Sequence, residues 1–154
     1  MIFATVGSHP SFRFDRLLSA LAALPGDELV VQHGPGDPPP QAREAIAFMS
    51  FEQILERMQE ASVVVSHAGV GSILCALQAG RVPVVMPREA RFDETVDDHQ
   101  VELAEALAPT GRIVLVETEG DLPAAVAEAR SRDSAPLRDA TELLGAVRSE
   151  LYRT

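Results

Sequence analysis

Val63-Val64-Val65-Ser66-His67-Ala68-Gly69-Val70-Gly71-Ser72 is the stretch on which the fold turns. Three consecutive β-branched residues read as a short, fully buried strand. The segment from about 72 to 79 reads as a helix ended by Gly80, a residue suited to a left-handed C-terminus. The loop between them holds two glycines, which let a ligand approach the backbone. The helix that follows presents unpaired N–H groups and the positive end of its dipole. A diphosphate suits such a place, with Ser72 offering a hydroxyl and His67 a ring N–H. The loop is not a Walker A motif, because the glycine spacing fails and the chain has no lysine. It is not a dinucleotide fingerprint either: Leu74 stands where the third glycine belongs, and the loop follows a middle strand instead of the first. Taken by itself, it also reads as a plain glycine-rich strand-to-helix turn.

Outward from this unit, short apolar runs alternate with helical patterns. Residues 2–6 read as a strand ending at Gly7, and 13–24 as a helix with Phe14, Leu17, Leu18, Leu21 and Leu24 along one stripe. A second strand covers 29–31, and the loop 34–40 carries two glycines and four prolines. Residues 45–49 read as a short strand, and Ser50 with Gln53 as a capping box for a helix over 51–60. Further on come a strand over 82–86, a helix over 95–107, a strand over 113–116 and helices over about 121–131 and 136–152. Strands separated by helices favour parallel pairing. The expected fold class is α/β, a Rossmann-like three-layer α/β/α sandwich with a mainly parallel sheet, in one domain spanning 1–154.

Composition narrows the function. Net charge is −10, so no basic face advertises nucleic acid or anionic lipid. All 13 basic residues are arginine, which removes lysine Schiff-base chemistry. One cysteine, Cys75, can form neither an internal disulfide nor, alone, a cysteine-based zinc site. No stretch is apolar enough to span a bilayer, so the expected location is cytoplasmic, or peripheral to a membrane through a partner.

In a parallel sheet ligands bind outside the carboxyl ends of the strands. The chain's four histidines, His9, His33, His67 and His99, all fall in or beside those loops. Gly7-Ser8-His9 is a second small-residue turn, in which a serine could instead cap the next helix and His9 could simply be a surface residue. The acidic run 93–98 reads as the first turn of a helix complementing its dipole, in preference to a metal site. His99 and Gln100 offer the directional hydrogen bonds that sugar hydroxyls need.

Together these pieces resemble the C-terminal domain of glycosyltransferase family 28, above all the small single-domain subunits of split enzymes. The resemblance covers Met1 to about Leu107. It rests on Phe3-Ala4-Thr5-Val6-Gly7, Phe14-Asp15-Arg16-Leu17, Ser66 to Leu74, Gly80-x-x-Pro83-x-x-x-Pro87-Arg88 and Asp98-His99-Gln100-x-Glu102-Leu103-Ala104, in that order. It implies one lobe of a GT-B architecture, holding a UDP-sugar against a second lobe that holds the acceptor. Carried over, Gly7 and Ser8 would line the diphosphate, and Phe48-Met49 would offer backbone contacts to uracil. His67, Gly69, Gly71 and Ser72 would hold phosphate and the nearby ribose, and His99 with Gln100 would read the sugar. Arg88 matches a family arginine that would face the leaving diphosphate or pair with Glu89 or Asp93. Two features depart from the pattern. Cys75 stands where many relatives carry a ribose-binding glutamate, and the loop 91–96 is longer than in the eukaryotic subunits.

The expected activity is transfer of a hexose or N-acetylhexosamine from UDP to a lipid-linked acceptor, without metal or other cofactor. The resemblance implies a membrane-associated, acceptor-binding partner subunit; homo-oligomerisation of the isolated chain is left open. His9 is the candidate general base within the chain. The stripe Leu143, Leu144, Val147, Leu151 and Tyr152 either meets the partner or packs on its own sheet. The alternative function is a non-catalytic UDP-sugar-binding or regulatory module. A sugar-nucleotide epimerase is a weaker option, since it needs both lobes in one chain.

Overall fold

The computed structural model describes residues 1–132 and Gly145. Six strands alternate with helices: β1 (Ile2–Thr5), α1 (Asp15–Leu21), β2 (Leu29–Gln32), β3 (Glu44–Ile46), α2 (Phe51–Glu60), β4 (Val63–Ser66), α3 (Val70–Gln78), β5 (Val84–Val85), α4 (His99–Leu107), β6 (Val114–Leu115) and α5 (Leu122–Arg130). All pairings are parallel, and the sheet order is β3-β2-β1-β4-β5-β6. This is the doubly wound Rossmann order, and the expected α/β/α sandwich is the fold found.

The three central strands β1, β2 and β4 are buried at every position. Their apolar runs therefore serve two faces at once, because successive side chains point to opposite sides. Ile2, Ala4, Leu29, Val31, Val63 and Val65 meet Leu17 and Leu21 of α1 and Leu122 and Val126 of α5. Phe3, Val30 and Val64 meet Met58 of α2 and Ala76 of α3 on the other face. On that same side Val85 packs with Ile73, Leu77, Leu103 and Leu107, bringing in α4.

Several boundaries differ from the expectation. The helix expected over 13–24 is regular only from Asp15 to Leu21. Its last turn tightens into three-residue bonds, with Ala22, Ala23 and Leu24 donating to Ser19, Ala20 and Leu21. The strand expected over 45–49 is Glu44–Ile46, which leaves Phe48 and Met49 in the following loop. The strand expected over 82–86 pairs only at Val84 and Val85. α3 starts at Val70, two residues early, because Ile73 N–H already donates to the Gly69 carbonyl. The Ser50–Gln53 capping box forms reciprocally at the start of α2, as expected.

The larger correction concerns the acidic run. α4 begins at His99, not at 95, so residues 93–97 form a strap ahead of the helix and Asp98 is its N-cap. Asp93 turns the chain in the left-handed region (φ 55°). Asp98 then accepts from Ala90 N–H, Asp97 accepts from His99 N–H, and Glu94 turns inward to Arg16. Asp97 and Asp98 thus stand at the N-terminus of α4, Asp97 holding its first amide, while Glu94 ties the strap to Arg16. The helix expected over 136–152, with its apolar stripe, lies outside the described residues apart from Gly145.

Candidate functional site

β2 lies on one side of β1 and β4 on the other, so connections leave the sheet in opposite directions at β1 and β4. A crevice opens where they part, outside the strands' carboxyl ends. Thr5 and Ser66 are in register there, and His67 N–H donates to the Thr5 carbonyl (3.3 Å). The turn after β1 and the turn after β4 are therefore side by side.

The first turn is fixed by two buried polar residues. Thr5 Oγ1 donates to Gln32 Oε1 and accepts from Gly7 N–H, while Gln32 Nε2 donates to the Gly7 and Ala47 carbonyls (3.0 and 2.7 Å). Gly7 takes φ +91°, which a side chain rarely adopts. The imidazole of His67 fills the space that a Cβ at Gly7 would need, coming within 2.7 Å of it. On the other side a Cβ at Gly69 would lie 2.3 Å from His67 Cε1. The ring is thus clasped between two glycines.

Gln100, from the first turn of α4, completes the clasp. Its Oε1 accepts from Ala68 N–H and Arg88 N–H, both at 3.1 Å, and its Nε2 donates to His67 Nδ1 at 3.2 Å. His67 Nε2 lies 3.2 Å from Ser72 Oγ. Burial, and secondarily the charge of Arg88, lower the His67 pKa from 6.5 to about 4, so the ring is neutral near pH 7.

Two cavities meet at this ring. One, of about 300 Å³, runs from Gly7, Ser8, Gly69, Gly71 and Ser72 to a wall of Met49, Phe51, Ile54 and Cys75. The other, of about 260 Å³, shares Gly7, Ser8 and His67 and extends to His9, Phe12, Arg88, Thr95, Val96 and Gln100. Together they form a two-chambered cleft across the switch point.

Most residues singled out in the sequence converge here: Gly7, Ser8, His9, Met49, His67, Gly69, Gly71, Ser72, Arg88 and Gln100 all line one chamber or both. Phe48 is half exposed and outside both linings. His99 lies outside both linings, with its side chain 79% exposed beside Asp97 and Glu102, and borders an adjoining hollow with Ala68, Gly69, Val70 and Gln100. Gln100 borders that hollow as well as the cleft, so it joins His99 in the one and His67 in the other.

Arg88 also differs from expectation. Among the described residues it pairs with neither Glu89 nor Asp93. Its guanidinium is buried over the Phe14 ring and donates to the carbonyls of Val6, Phe12, Arg13 and Glu94. Glu89 and Glu94 pair instead with Arg16 (3.3 and 3.0 Å). His9 packs against Phe12 with the rings tilted by 56° (centroids 4.8 Å apart), and its Nδ1 accepts from Ser11 N–H.

Sequence reasoning passed over Phe12, Phe51 and Ile54, and met Gln32, Thr95 and Val96 only as members of loops beside the strand ends. Gln32 carried a usable signal, being a polar residue ending an otherwise apolar central strand. The others reach the cleft through chain turns that no spacing encodes.

Comparison with known proteins agrees with this fold. The family model described as glycosyltransferase family 28 C-terminal domain matches residues 1–150, further than the motifs alone reached. The UDP-N-acetylglucosamine transferase subunit ALG13 of Homo sapiens is 31% identical over 126 residues, covering 73% of this chain and 10% of that protein. Its namesake from Yarrowia lipolytica is 40% identical over 60 residues, 39% of this chain and 29% of that protein. The chain thus spans about a tenth of the human relative's length and under a third of the yeast one's. Among solved structures, the glycotransferase of kitacinnamycin superposes with a TM-score of 0.60 at 27% identity, covering 97% of this chain and 38% of that one. With its switch-point cleft, its glycine-clasped histidine and a family match over nearly its whole length, this chain belongs to the glycosyltransferase family 28 C-terminal domain family.

Proposed function

We propose that this chain is the donor-binding subunit of a glycosyltransferase, taking UDP-N-acetylglucosamine or a UDP-hexose and transferring the sugar to a lipid-linked acceptor held by a partner subunit. The observation that carries this reading is the convergence of Gly7, His67, Gly69, Gly71 and Ser72 at the carboxyl ends of β1 and β4. The diphosphate spans the two chambers at His67. The flat base lies against Met49 and Phe51, and the hexose enters the more polar chamber beside Thr95 and Gln100, which keeps one amide hydrogen for a hydroxyl.

The chemistry follows from the charge that develops on the leaving diphosphate. The first amides of α3 have no intrahelical acceptor, and the N-cap Gly69 brings no side chain to cover them. Aimed at the diphosphate, they stabilise it where charge grows, together with the Ser72 hydroxyl that the neutral His67 orients. Arg88 adds a buried positive charge at the edge of the second chamber, its guanidinium held by backbone carbonyls. The acceptor hydroxyl needs a base. The Nδ1 of His9 is occupied by Ser11 N–H, so the neutral ring carries its hydrogen on Nε2. His9 serves as base only once that bond opens, which approach of an acceptor lobe would do.

The test is sugar transfer to a lipid-linked acceptor by the chain with and without a membrane-associated partner. Turnover only with the partner supports the reading. Full turnover by the chain alone removes the partner, and donor binding without turnover in the partner's presence favours a non-catalytic binding module. His9→Ala should lower kcat by about 10²–10⁴ with donor affinity unchanged.

A further inference from the structure

Resting on that donor-site reading, we infer that Arg16 is a positioning residue of the second chamber. It pins the root of the strap 93–97 through Glu94, and so sets where Thr95 and Val96 stand against the donor's sugar.

The run Phe14-Asp15-Arg16-Leu17 stands outside both chambers, yet Arg16 reaches the strap. Arg16 Nη2 donates to the Pro87 carbonyl (2.8 Å) and to Glu94 Oε1 (3.0 Å), and its Nε donates to Glu94 Oε2 (3.3 Å). Glu89 Oε2 lies 3.3 Å from the same Nη2. The guanidinium also rests on aromatic rings, 4.9 Å from the centre of Phe92 and 5.6 Å from that of Phe14. One side chain of α1 thus holds the end of β5's loop and the start of the strap together.

Glu94 is where this anchor meets the cleft. Its carboxylate also accepts from Glu89 N–H, and its carbonyl accepts from Arg88. It borders the second chamber and, with Arg13, Arg16 and Phe92, an outer hollow of about 560 Å³. Thr95 and Val96 follow it directly and line the chamber. Among the described residues neither makes a hydrogen bond, and Val96 is 80% exposed. Their place is therefore dictated by the fixed residues on either side. Glu94 precedes them, and Asp97 and Asp98 follow, bonded to His99 N–H and Ala90 N–H.

The Arg16 and Glu94 side chains are 13% and 5% exposed. A buried ion pair adds little stability over an apolar pair of the same volume. What a planar guanidinium adds is direction, since its fork fixes every acceptor that it holds. Without that fork the strap loses its root, and the Thr95 hydroxyl no longer meets a sugar hydroxyl at a set distance. UDP by itself fills the first chamber and the junction at His67, away from the strap. The anchor therefore matters to a UDP-sugar and not to UDP.

Calorimetric titration of the full chain with UDP, UDP-N-acetylglucosamine and UDP-glucose tests this. The proteins are wild type, Arg16→Gln, Arg16→Lys and the neutral pair Arg16→Gln/Glu94→Gln, each checked by thermal denaturation. Arg16→Gln should leave UDP affinity within about twofold and weaken the tighter-bound UDP-sugar about tenfold, the worth of one hydrogen bond. Arg16→Lys keeps the charge without the fork and should recover little of that loss. The neutral pair removes the orphaned carboxylate and should recover the melting temperature but not the sugar affinity. Equal losses for UDP and UDP-sugar, no loss for either, or full recovery by Arg16→Lys overturns the inference while the donor site stands. So does wild-type binding of UDP with neither UDP-sugar. If no variant folds, Arg16 belongs to the fold alone and the inference is overturned. Absence of binding of all three ligands by wild type at millimolar concentration overturns the donor site and the inference together.

Discussion

Gln100 Nε2 donates to His67 Nδ1 across 3.2 Å, and this one bond sets the chemistry of the whole cleft. The Gln100 oxygen is already taken by the backbone N–H groups of Ala68 and Arg88, so only the amide hydrogens can face the ring. Nδ1 must then hold the lone pair and Nε2 the hydrogen. That hydrogen points to Ser72 Oγ, 3.2 Å away, and turns the serine's own proton toward the open chamber. A residue on α4 thus orients a donor at the start of α3.

Gln100→Glu tests this chain of donors. The carboxylate can still accept from both backbone groups but can only accept from the imidazole. His67 then carries a hydrogen on Nδ1, and its pKa rises from about 4. Losing one oriented donor should weaken UDP-sugar binding by about tenfold, equivalent to about 1.4 kcal/mol. Nitrogen-15 spectra of the imidazole report the tautomer, and calorimetry reports the affinity.

Two glycines of the same loop should respond in opposite ways. Gly69→Ala drives a methyl to 2.3 Å from His67 Cε1, so both stability and nucleotide binding fall. A Cβ at Gly71 meets nothing within 4 Å, and Gly71 lies inside α3. Gly71→Ala should therefore leave the fold intact or stabilise it by up to about 1 kcal/mol. Its methyl projects into the ligand's space, and binding should still fall. Melting temperature and affinity, measured on both variants, separate packing from function.

The buried neutral state of His67 makes stability depend on pH. Its folded pKa of about 4 lies below the ordinary 6.5, so between these values the unfolded chain binds more protons. Stability is full above pH 6.5 and falls as pH drops toward 4, by on the order of 3 kcal/mol. Urea denaturation of wild type and His67→Gln across that window should show a shallower slope in the variant.

Arg88→Met should destabilise by about 2–4 kcal/mol, because four backbone carbonyls lose their donor. Arg88→Lys keeps the charge but not the planar fork, and should recover little of the loss. Chemical denaturation checks both. If Arg88 acted chiefly on the ligand, both variants would fold normally and fail only in binding.

The sheet was legible because Val63-Val64-Val65, Leu29-Val30-Val31 and Ile2-Phe3-Ala4 are apolar on both faces, which only central parallel strands require. The glycine turn ahead of α3 was legible from Gly69 and Gly71. The role of Gln100 was not, because its partners Ala68 and Arg88 come from loops 32 and 12 residues away in sequence. The place of Glu94 was not legible for a similar reason. Glu94 is turned inward by Arg16, 78 residues distant, and no local propensity records that pairing.

The most direct measurement is an amide-resolved titration of the isolated chain with UDP-N-acetylglucosamine by nuclear magnetic resonance. A donor site at the switch point requires saturable shifts at Gly7, Ser8, Gly69, Gly71 and Ser72, with a matching change at the His67 ring. Saturable shifts confined to other surfaces, or none at millimolar ligand, would contradict it.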